Sequence, residues 1–298
     1  MSFNKYIDFY FEFKQTELKK SSLHKYKGIL NNYIYPYFGG LTPKEANNMH
    51  NIRQFLLSLN DMSLKGTLSS KTIKDIIMIL GGCLQEAFYD EQIEKNNITL
   101  LRSIKAIKPN INPFARHEVK LLLQNSTGWF NVFLSIAFYT GMRTGEILAL
   151  HTRDIDLDNS IIHVNKTRGK FGVSTPKTIS SIRDIPTFKP LKIILIDYLK
   201  THDNEYLFVN QYSNPFNSSK NINLRYFRPL LKLCGLSYRR LYETRHTFAT
   251  NMLESGKFSV NEIARFMGHS NTQMIFNRYT AYIESEKRKN KNSVDIYS

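Results

Sequence analysis

Residues 242–250 of this chain read Tyr-Glu-Thr-Arg-His-Thr-Phe-Ala-Thr. Leu241, Phe248 and Met252 recur around this segment at helical intervals, which predicts an amphipathic helix packed on a core. Arg245 lies early in that helix, where a charged side chain can point from the buried face into a cleft. His246 lies about 100° further round the helix, so a structural role is its simpler interpretation.

Two further segments present polar residues at helix ends. Residues 140–146 read Thr-Gly-Met-Arg-Thr-Gly-Glu, which places Arg143 between the end of one helix and the start of another. Residues 267–270 read Met-Gly-His-Ser, which places His269 just after a glycine that ends a helix. Tyr279 follows ten residues later. These segments therefore predict a site built from separate parts of the chain.

A lysine completes this set. Lys177 lies in residues 166–181, a stretch rich in Gly, Lys, Ser and Thr that predicts a hairpin or a small-sheet connection. Two arginines, a lysine, a histidine and a tyrosine are what a metal-free phosphoryl transfer requires. Fixed positive charge holds the phosphate, a proton donor serves the leaving oxygen, and a phenol attacks.

Simpler interpretations of the same residues stay open at this level. Arg143 can be a surface arginine paired with Glu146, three residues further along the helix. The lysine at 177 can be part of a solvated basic turn, and Lys166 and Lys170 occupy the same region. Tyr282 lies three residues beyond Tyr279 and is an alternative phenol.

The charge of the chain is unevenly distributed. Its 298 residues contain 41 Lys plus Arg and 25 Asp plus Glu, which gives a net charge of +16. Residues 1–100 hold 12 basic and 10 acidic side chains, so residues 101–298 hold 29 and 15 and carry +14 of that charge. An excess of this size predicts a polyanionic partner, foremost nucleic acid. A basic protein without such a partner is the alternative.

Other sequence features indicate in which compartment the protein resides and which cofactors it could use. Cys83 and Cys234 are the only cysteines and form no Cys-x-x-Cys spacing, which argues against a disulfide framework and a thiolate metal site. No carboxylate cluster or glycine-rich phosphate loop is evident that would indicate a metal or a nucleotide cofactor. The first residues lack the apolar core of a signal peptide, and residues 129–139 are too short to span a bilayer. The sequence predicts a cytoplasmic protein that does not enter membranes.

Hydrophobic periodicity predicts two domains of a mainly α, α+β fold. Residues 1–106 show four helical segments and predict a four-helix domain whose aromatic side chains form its core. Residues 107–113 contain two prolines and predict an extended linker. Residues 114–298 combine helices with short β-type runs, which predicts a mixed domain with a small antiparallel sheet.

These motifs resemble those of the tyrosine recombinases, or phage-type integrases. That family has a TGxRxGE segment like residues 140–146, an HxxRHTFAT segment like residues 242–250, and an LGHS segment like residues 267–270. Its nucleophilic tyrosine lies nine or ten residues beyond the last histidine. The resemblance covers about residues 113–285, and it is weaker over the first hundred.

The resemblance implies a site-specific recombinase or integrase that cleaves and rejoins double-stranded DNA without a metal or a cofactor. It implies that Arg143 and Arg245 clamp the phosphate, that His269 donates to it, and that Lys177 protonates the departing 5′ oxygen. Tyr279 is then the nucleophile, which forms a 3′-phosphotyrosine. The helical domain grips one side of the DNA, and protomers assemble, most simply as a tetramer on two DNA sites.

One position departs from the family pattern. Tyr242 stands where the family commonly has a histidine, three residues before Arg245. A phenol with a pKa near 10 is a poor general base at neutral pH, although it can donate a hydrogen bond to phosphate. This departure favours an enzyme of a mobile element over a chromosome-dimer resolvase.

Three other functions are compatible with parts of the sequence. A type IB topoisomerase-like enzyme that relaxes DNA shares the chemistry. A non-catalytic DNA-binding regulator is less favoured because both arginines, the lysine and the tyrosine are present. A metal-dependent nuclease lacks its expected acidic cluster.

Overall fold

The chain consists of two compact units, Met1–Pro109 and Asn110–Ser298. The computed structural model describes residues 2–102, 110–176 and 178–276, together with Tyr279 and Ile283. Residues 107–109 of the predicted linker therefore lie outside the described residues. Among the described residues, none of the helices is long and apolar enough to cross a membrane.

The described part of the first unit is helical. Its elements are α1 (Asn4–Glu17), α2 (Lys20–Ile29), a π-helical turn (Leu30–Ile34), α3 (Tyr35–Phe38), α4 (Pro43–Ala46), α5 (Met49–Leu64), α6 (Ser70–Tyr89) and a 3-10 turn (Asn97–Leu100). Ser69 caps α6 by accepting a hydrogen bond from the backbone N–H of Thr72. The third of the four predicted helical segments, which begins near Pro43, is divided into α4 and α5, because Asn48 caps a new helix by accepting a hydrogen bond from the backbone N–H of His50.

The core of the first unit is apolar. Phe3, Ile7 and Tyr10 of the first helical segment are buried in one cluster with side chains of α5 and α6. The prediction that the aromatic residues belong to this core is wrong for Phe9 and Phe13, whose side chains are about half exposed on α1. They lie beside the buried stripe of α1 and not within it, because an amphipathic helix buries only one face.

The second unit mixes helices with short strands. Its helices are α7 (Arg116–Asn125), α8 (Gly128–Thr140), α9 (Thr144–Ile147), α10 (Lys189–Leu199), α11 (Ser219–Ile222), α12 (Arg228–Leu233), α13 (Glu243–Ser255), α14 (Val260–Met267) and α15 (Gln273–Ile275). Its strands are β1 (Ile155–Asp156), β2 (Ile161–Val164), β3 (Thr167–Gly169), β4 (Gly172–Ser174) and β5 (Arg183–Pro186).

All the described strand pairs are antiparallel. One sheet has the order β1-β2-β5, with Ile162 paired with both Ile155 and Ile185, and β3 pairs with β4 as a separate hairpin. The buried isoleucines attach the three-stranded sheet to the main core of the unit, which is centred on α8. The predicted mainly helical fold with a small antiparallel sheet is confirmed.

A smaller cluster lies between α13 and α14. It contains Phe248, Ile263 and Met267, and Tyr279 packs into it with 1% of its surface exposed. Ile111 is also buried there, and the backbone N–H of Asn112 donates to the Glu243 carboxylate, so this part of the chain lies against α13. This cluster carries the residues discussed next.

Candidate active site

Arg143 projects from the junction of α8 and α9. Gly141 ends α8 with a φ of 63°, and a Cβ at this position would lie 2.3 Å from the Phe248 ring, so the turn requires glycine. The guanidinium of Arg143 donates from Nη1 to Oε1 of Glu146 at 2.7 Å and from Nη2 to the carbonyl of Gly268 at 3.3 Å. The Arg143 side chain is 36% exposed, so it is partly open to a ligand.

Glu146 holds two arginines at once. Besides Arg143, it accepts a hydrogen bond at 2.9 Å from Nη2 of Arg183, whose side chain is buried. Burial alone would raise the pKa of the Glu146 carboxyl, but the charges of Arg183 and Arg143 and their hydrogen bonds outweigh burial and lower it. Glu146 is therefore an anion that fixes Arg143, so the predicted pairing within α9 exists and is part of a larger network.

Arg245 is fixed by the backbone of two glycine turns. Its Nη1 donates to the carbonyl of Gly141 at 2.6 Å, and its Nη2 donates to the carbonyl of Met267 at 2.7 Å. Contrary to the expectation that it points out of the buried face, Arg245 is itself only 1% exposed. Burial lowers its pKa to about 10, which leaves it charged at neutral pH. Its Nε has no hydrogen-bond partner among the described residues.

His269 lies directly against Arg245. Gly268 ends α14 with a φ of 64°, and Nε2 of His269 lies 2.7 Å from Nη2 of Arg245. Burial, followed by the charges of Arg245 and Arg143, lowers the pKa of His269 to about 3, so the imidazole is neutral at physiological pH.

The tautomer of His269 follows from its neighbour. A guanidinium can only donate, so Nε2 accepts and the ring proton lies on Nδ1. Among the described residues Nδ1 has no hydrogen-bond partner. His269 also lines a groove of about 630 Å³ together with Arg183, Asn261, Arg265 and Ser270. The arrangement offers a neutral donor and fixed positive charge to an anion.

Tyr279 is buried behind this cluster. Its hydroxyl lies 2.8 Å from Nδ1 of His246, which is 4% exposed in α13. Tyr242, at the start of the same helix, is 43% exposed, and its ring lies 5.1 Å from the His246 ring. The predicted phenol therefore contacts a histidine to which the sequence assigns a structural role.

The structure thus brings Arg143, Arg245 and His269 together and links Tyr279 to them through His246, the neighbour of Arg245. Lys177 lies outside the described residues. Within the part of the chain that the structure describes, no group of three or more His, Cys, Asp or Glu side chains could hold a metal ion.

Sequence reasoning missed Arg183. Its Nε donates to the carbonyl of Phe266 at 2.7 Å and its Nη1 to that of Ser181 at 2.8 Å, so it ties β5 to the end of α14. The alternation of side chains along β5 could have identified Arg183, because it lies on the same inward-facing side of the strand as Ile185. An arginine on the inward face of a strand indicates a buried carboxylate partner, which is Glu146 here.

Comparison with known proteins agrees with this geometry. The model of the phage integrase family matches residues 113–286, and that of the phage integrase N-terminal SAM-like domain matches residues 2–43. The chain is 27% identical to a tyrosine recombinase XerC-like protein of Caldanaerobacter subterraneus subsp. tengcongensis, over 93% of this chain and 78% of the relative. It is 24% identical to the prophage integrase IntR of Escherichia coli, over 95% of this chain and 77% of the relative.

Solved structures share the fold. The Tn1549 transposon integrase in complex with circular intermediate DNA superposes with a TM-score of 0.74 at 20% identity, covering 96% of this chain and 99% of that one. A lambda integrase tetramer bound to a Holliday junction gives 0.69 at 20% identity, covering 91% and 78%. The chain belongs to the phage integrase family of tyrosine recombinases, enzymes that cleave and rejoin DNA at specific sites.

Proposed function

We propose that Tyr279 attacks a DNA backbone phosphate to form a 3′-phosphotyrosine, and that a 5′ hydroxyl of a second strand then reverses the step. Arg143 and Arg245 clamp the phosphate, His269 donates from Nδ1, Tyr242 donates from its hydroxyl, and Lys177 protonates the departing 5′ oxygen. The phosphoester retains the bond energy, so neither a metal nor a nucleotide cofactor takes part.

The contact between Arg245 and His269 carries this proposal. At 2.7 Å it makes the imidazole an acceptor on one side and leaves a proton on the other, next to a guanidinium that stays charged. A neutral donor beside fixed cations is suited to the developing charge of a five-coordinate phosphate, because it stabilises that charge without reorganising. The +14 carried by residues 101–298 supports duplex DNA as the ligand.

For the assembly, we propose a helical domain of residues 1–106 and a catalytic domain of residues 114–298, joined by residues 107–113, acting as a tetramer on two DNA sites. The lambda integrase tetramer on a Holliday junction supports this stoichiometry. Relatives from a prophage and a transposon support a role in a mobile element. Strand exchange between two marked duplexes distinguishes a recombinase from an enzyme that only relaxes DNA.

The chemistry is tested by covalent capture. The purified chain is incubated with a randomised pool of nicked duplexes, from which the short 5′-hydroxyl fragment diffuses away after cleavage. We expect a protein–DNA adduct that survives denaturation, forms in EDTA, and disappears in Tyr279→Phe while DNA binding persists. Tyr282→Phe is the matched control and should form the adduct. An adduct made by Tyr279→Phe but not by Tyr282→Phe would refute the assignment, and a requirement for magnesium would indicate a nuclease.

A further inference from the structure

The hydroxyl of Tyr279 has an imidazole as its hydrogen-bond partner. Nδ1 of His246 lies 2.8 Å from the phenol oxygen, and the two rings are 5.6 Å apart at 50°. Both side chains are buried, at 4% and 1% exposure. A phenol with a pKa near 10 is a weak nucleophile until a base removes its proton, so a buried imidazole on its oxygen has a direct chemical use.

We propose that His246 is the general base for Tyr279. In the cleavage step the phenol oxygen forms a bond to phosphorus, the bond from phosphorus to the 5′ oxygen breaks, and the phenol proton moves to Nδ1 of His246. The 5′ oxygen takes its proton from Lys177, as in the function proposed above, on which this inference rests. In the rejoining step the imidazolium returns its proton to the departing phenol oxygen.

The neighbour at position 242 supports this role. Tyr242 lies one helical turn before His246, on the same face of the helix, and its ring packs edge-on against the imidazole at 76°. A phenol at that position is a poor base, so it cannot take the proton itself. Instead it covers one side of the imidazole, while Tyr279 occupies Nδ1. When His246 takes the proton, its imidazolium is repelled by the charge of the neighbouring Arg245. The negative charge of a phosphate bound by Arg143 and Arg245 reduces this repulsion.

Two substitutions separate proton transfer from packing. His246→Phe keeps the ring volume and removes the nitrogen, and His246→Asn keeps a polar atom near the position of Nδ1 without a basic nitrogen. We expect His246→Phe to slow adduct formation by at least about 100-fold and His246→Asn to lie between it and the wild type, with DNA binding unchanged. His202→Asn is the control, because His202 contacts the carbonyl of Tyr206 instead. Cleavage by His246→Phe at the wild-type rate would overturn the proposal.

A second substrate tests whether His246 acts by transferring the proton of the phenol. A half-site that ends in a 3′-(4-nitrophenyl phosphate) carries a leaving group that departs as nitrophenolate without taking up a proton. Joining this half-site to a 5′ hydroxyl therefore does not require an acid that protonates the departing phenol oxygen. In a Tyr279→Phe background, His246→Phe should join this substrate at an unchanged rate. A parallel loss of rate would mean that His246 acts through folding or binding, and the proposal would be wrong.

The DNA-free chain gives a readout that does not depend on recombinase activity. In 15N-histidine NMR spectra, assigned with His246→Asn, we expect His246 as the Nε2–H tautomer, with an Nδ1 signal that shifts in Tyr279→Phe. A proton on Nδ1 would overturn the proposal even if the wild type forms the adduct. Failure of the wild type to form any adduct, with the expected tautomer present, would refute the proposed function instead.

Discussion

The two units bury different kinds of side chain. Among the described residues of the first unit, Asn47 is the buried polar side chain, and apart from the thiol of Cys83 the rest of the interior is aliphatic or aromatic. The second unit buries Glu146, Arg183, Arg245 and His246 around the glycine turns that end α8 and α14, and it buries Glu118, Asp154 and Arg168 elsewhere. The first interior is built for packing alone, and the second also holds fixed charge.

Holding charge in an interior has a cost that packing does not have. Each buried ion loses several kcal/mol of hydration, which its partners recover only with good geometry. In the second unit part of this cost falls around Arg143, Arg245 and His269, where burial lowers the pKa of Arg245 and of His269. Perturbed groups gathered in one place indicate a functional site more than a device for stability. The difference between the two units therefore marks where the chemistry lies.

The largest loss of cleavage rate should come from replacing the arginines of the site. Arg245→Lys, and likewise Arg143→Lys, should slow adduct formation by at least about 100-fold, because an ammonium cannot form the fork that binds two oxygens. Single-turnover cleavage of a nicked duplex measures this rate. Arg53→Lys, an exposed position in the first unit, is the matched control and should cleave as the wild type does. Near-normal cleavage by either site variant would show that its arginine is not a clamp.

A smaller effect should follow when the carboxylate between two arginines is neutralised. Glu146→Gln keeps the shape and leaves Arg183 buried beside a neutral amide, so we expect a loss of about 3 kcal/mol in the free energy of unfolding. Urea unfolding measures it. Asp75→Asn breaks the ion pair of Asp75 with Lys25 on the surface of the first unit, and it should cost less than about 0.5 kcal/mol. If the two variants lost equal free energy of unfolding, the buried carboxylate of the second unit would contribute no more to stability than a surface ion pair of the first unit.

Acidification should weaken the second unit through His269. Its folded pKa of about 3 is below the ordinary value of 6.5, so between these values the unfolded chain binds more protons and stability falls as the pH falls. Because the ring is partly solvated, we expect the loss between pH 7 and pH 5 to be about 1 kcal/mol larger in the wild type than in His269→Gln. Parallel pH profiles for the two proteins would indicate that His269 is not held neutral.

Local patterns in the sequence were sufficient for several helix ends, although they did not show that the third helical segment of the first unit is divided. The glycine that ends a helix before His269 appears as predicted, and Ser259 and Glu262 form a capping box whose spacing is visible in the sequence, because these signals depend only on neighbouring residues. The mainly apolar interior of the first unit followed from helical periodicity for the same reason.

Partners distant in the sequence could not be predicted in the same way. The contact of Glu146 with Arg183 joins residues 37 positions apart, and that of His246 with Tyr279 joins residues 33 apart. Periodicity says which face of an element is buried and nothing about which polar atoms meet there. His246 appeared structural because its partner lies beyond α14, and Arg245 was expected nearer to solvent because its backbone acceptors belong to other turns.

The smallest loss of cleavage rate should come from Tyr242, which lies at the partly exposed edge of the site. Tyr242→Phe removes a hydroxyl from a side chain that is 43% exposed and leaves the ring that packs on His246. A single neutral hydrogen bond to phosphate contributes about 1 kcal/mol or less at such a position, so cleavage should slow only about threefold. Single-turnover cleavage measures this change, and Tyr238→Phe, an exposed tyrosine before α13, is the control. A loss as large as that of Arg245→Lys would show that the Tyr242 hydroxyl does more than donate one hydrogen bond, and the minor role given to it here would be wrong.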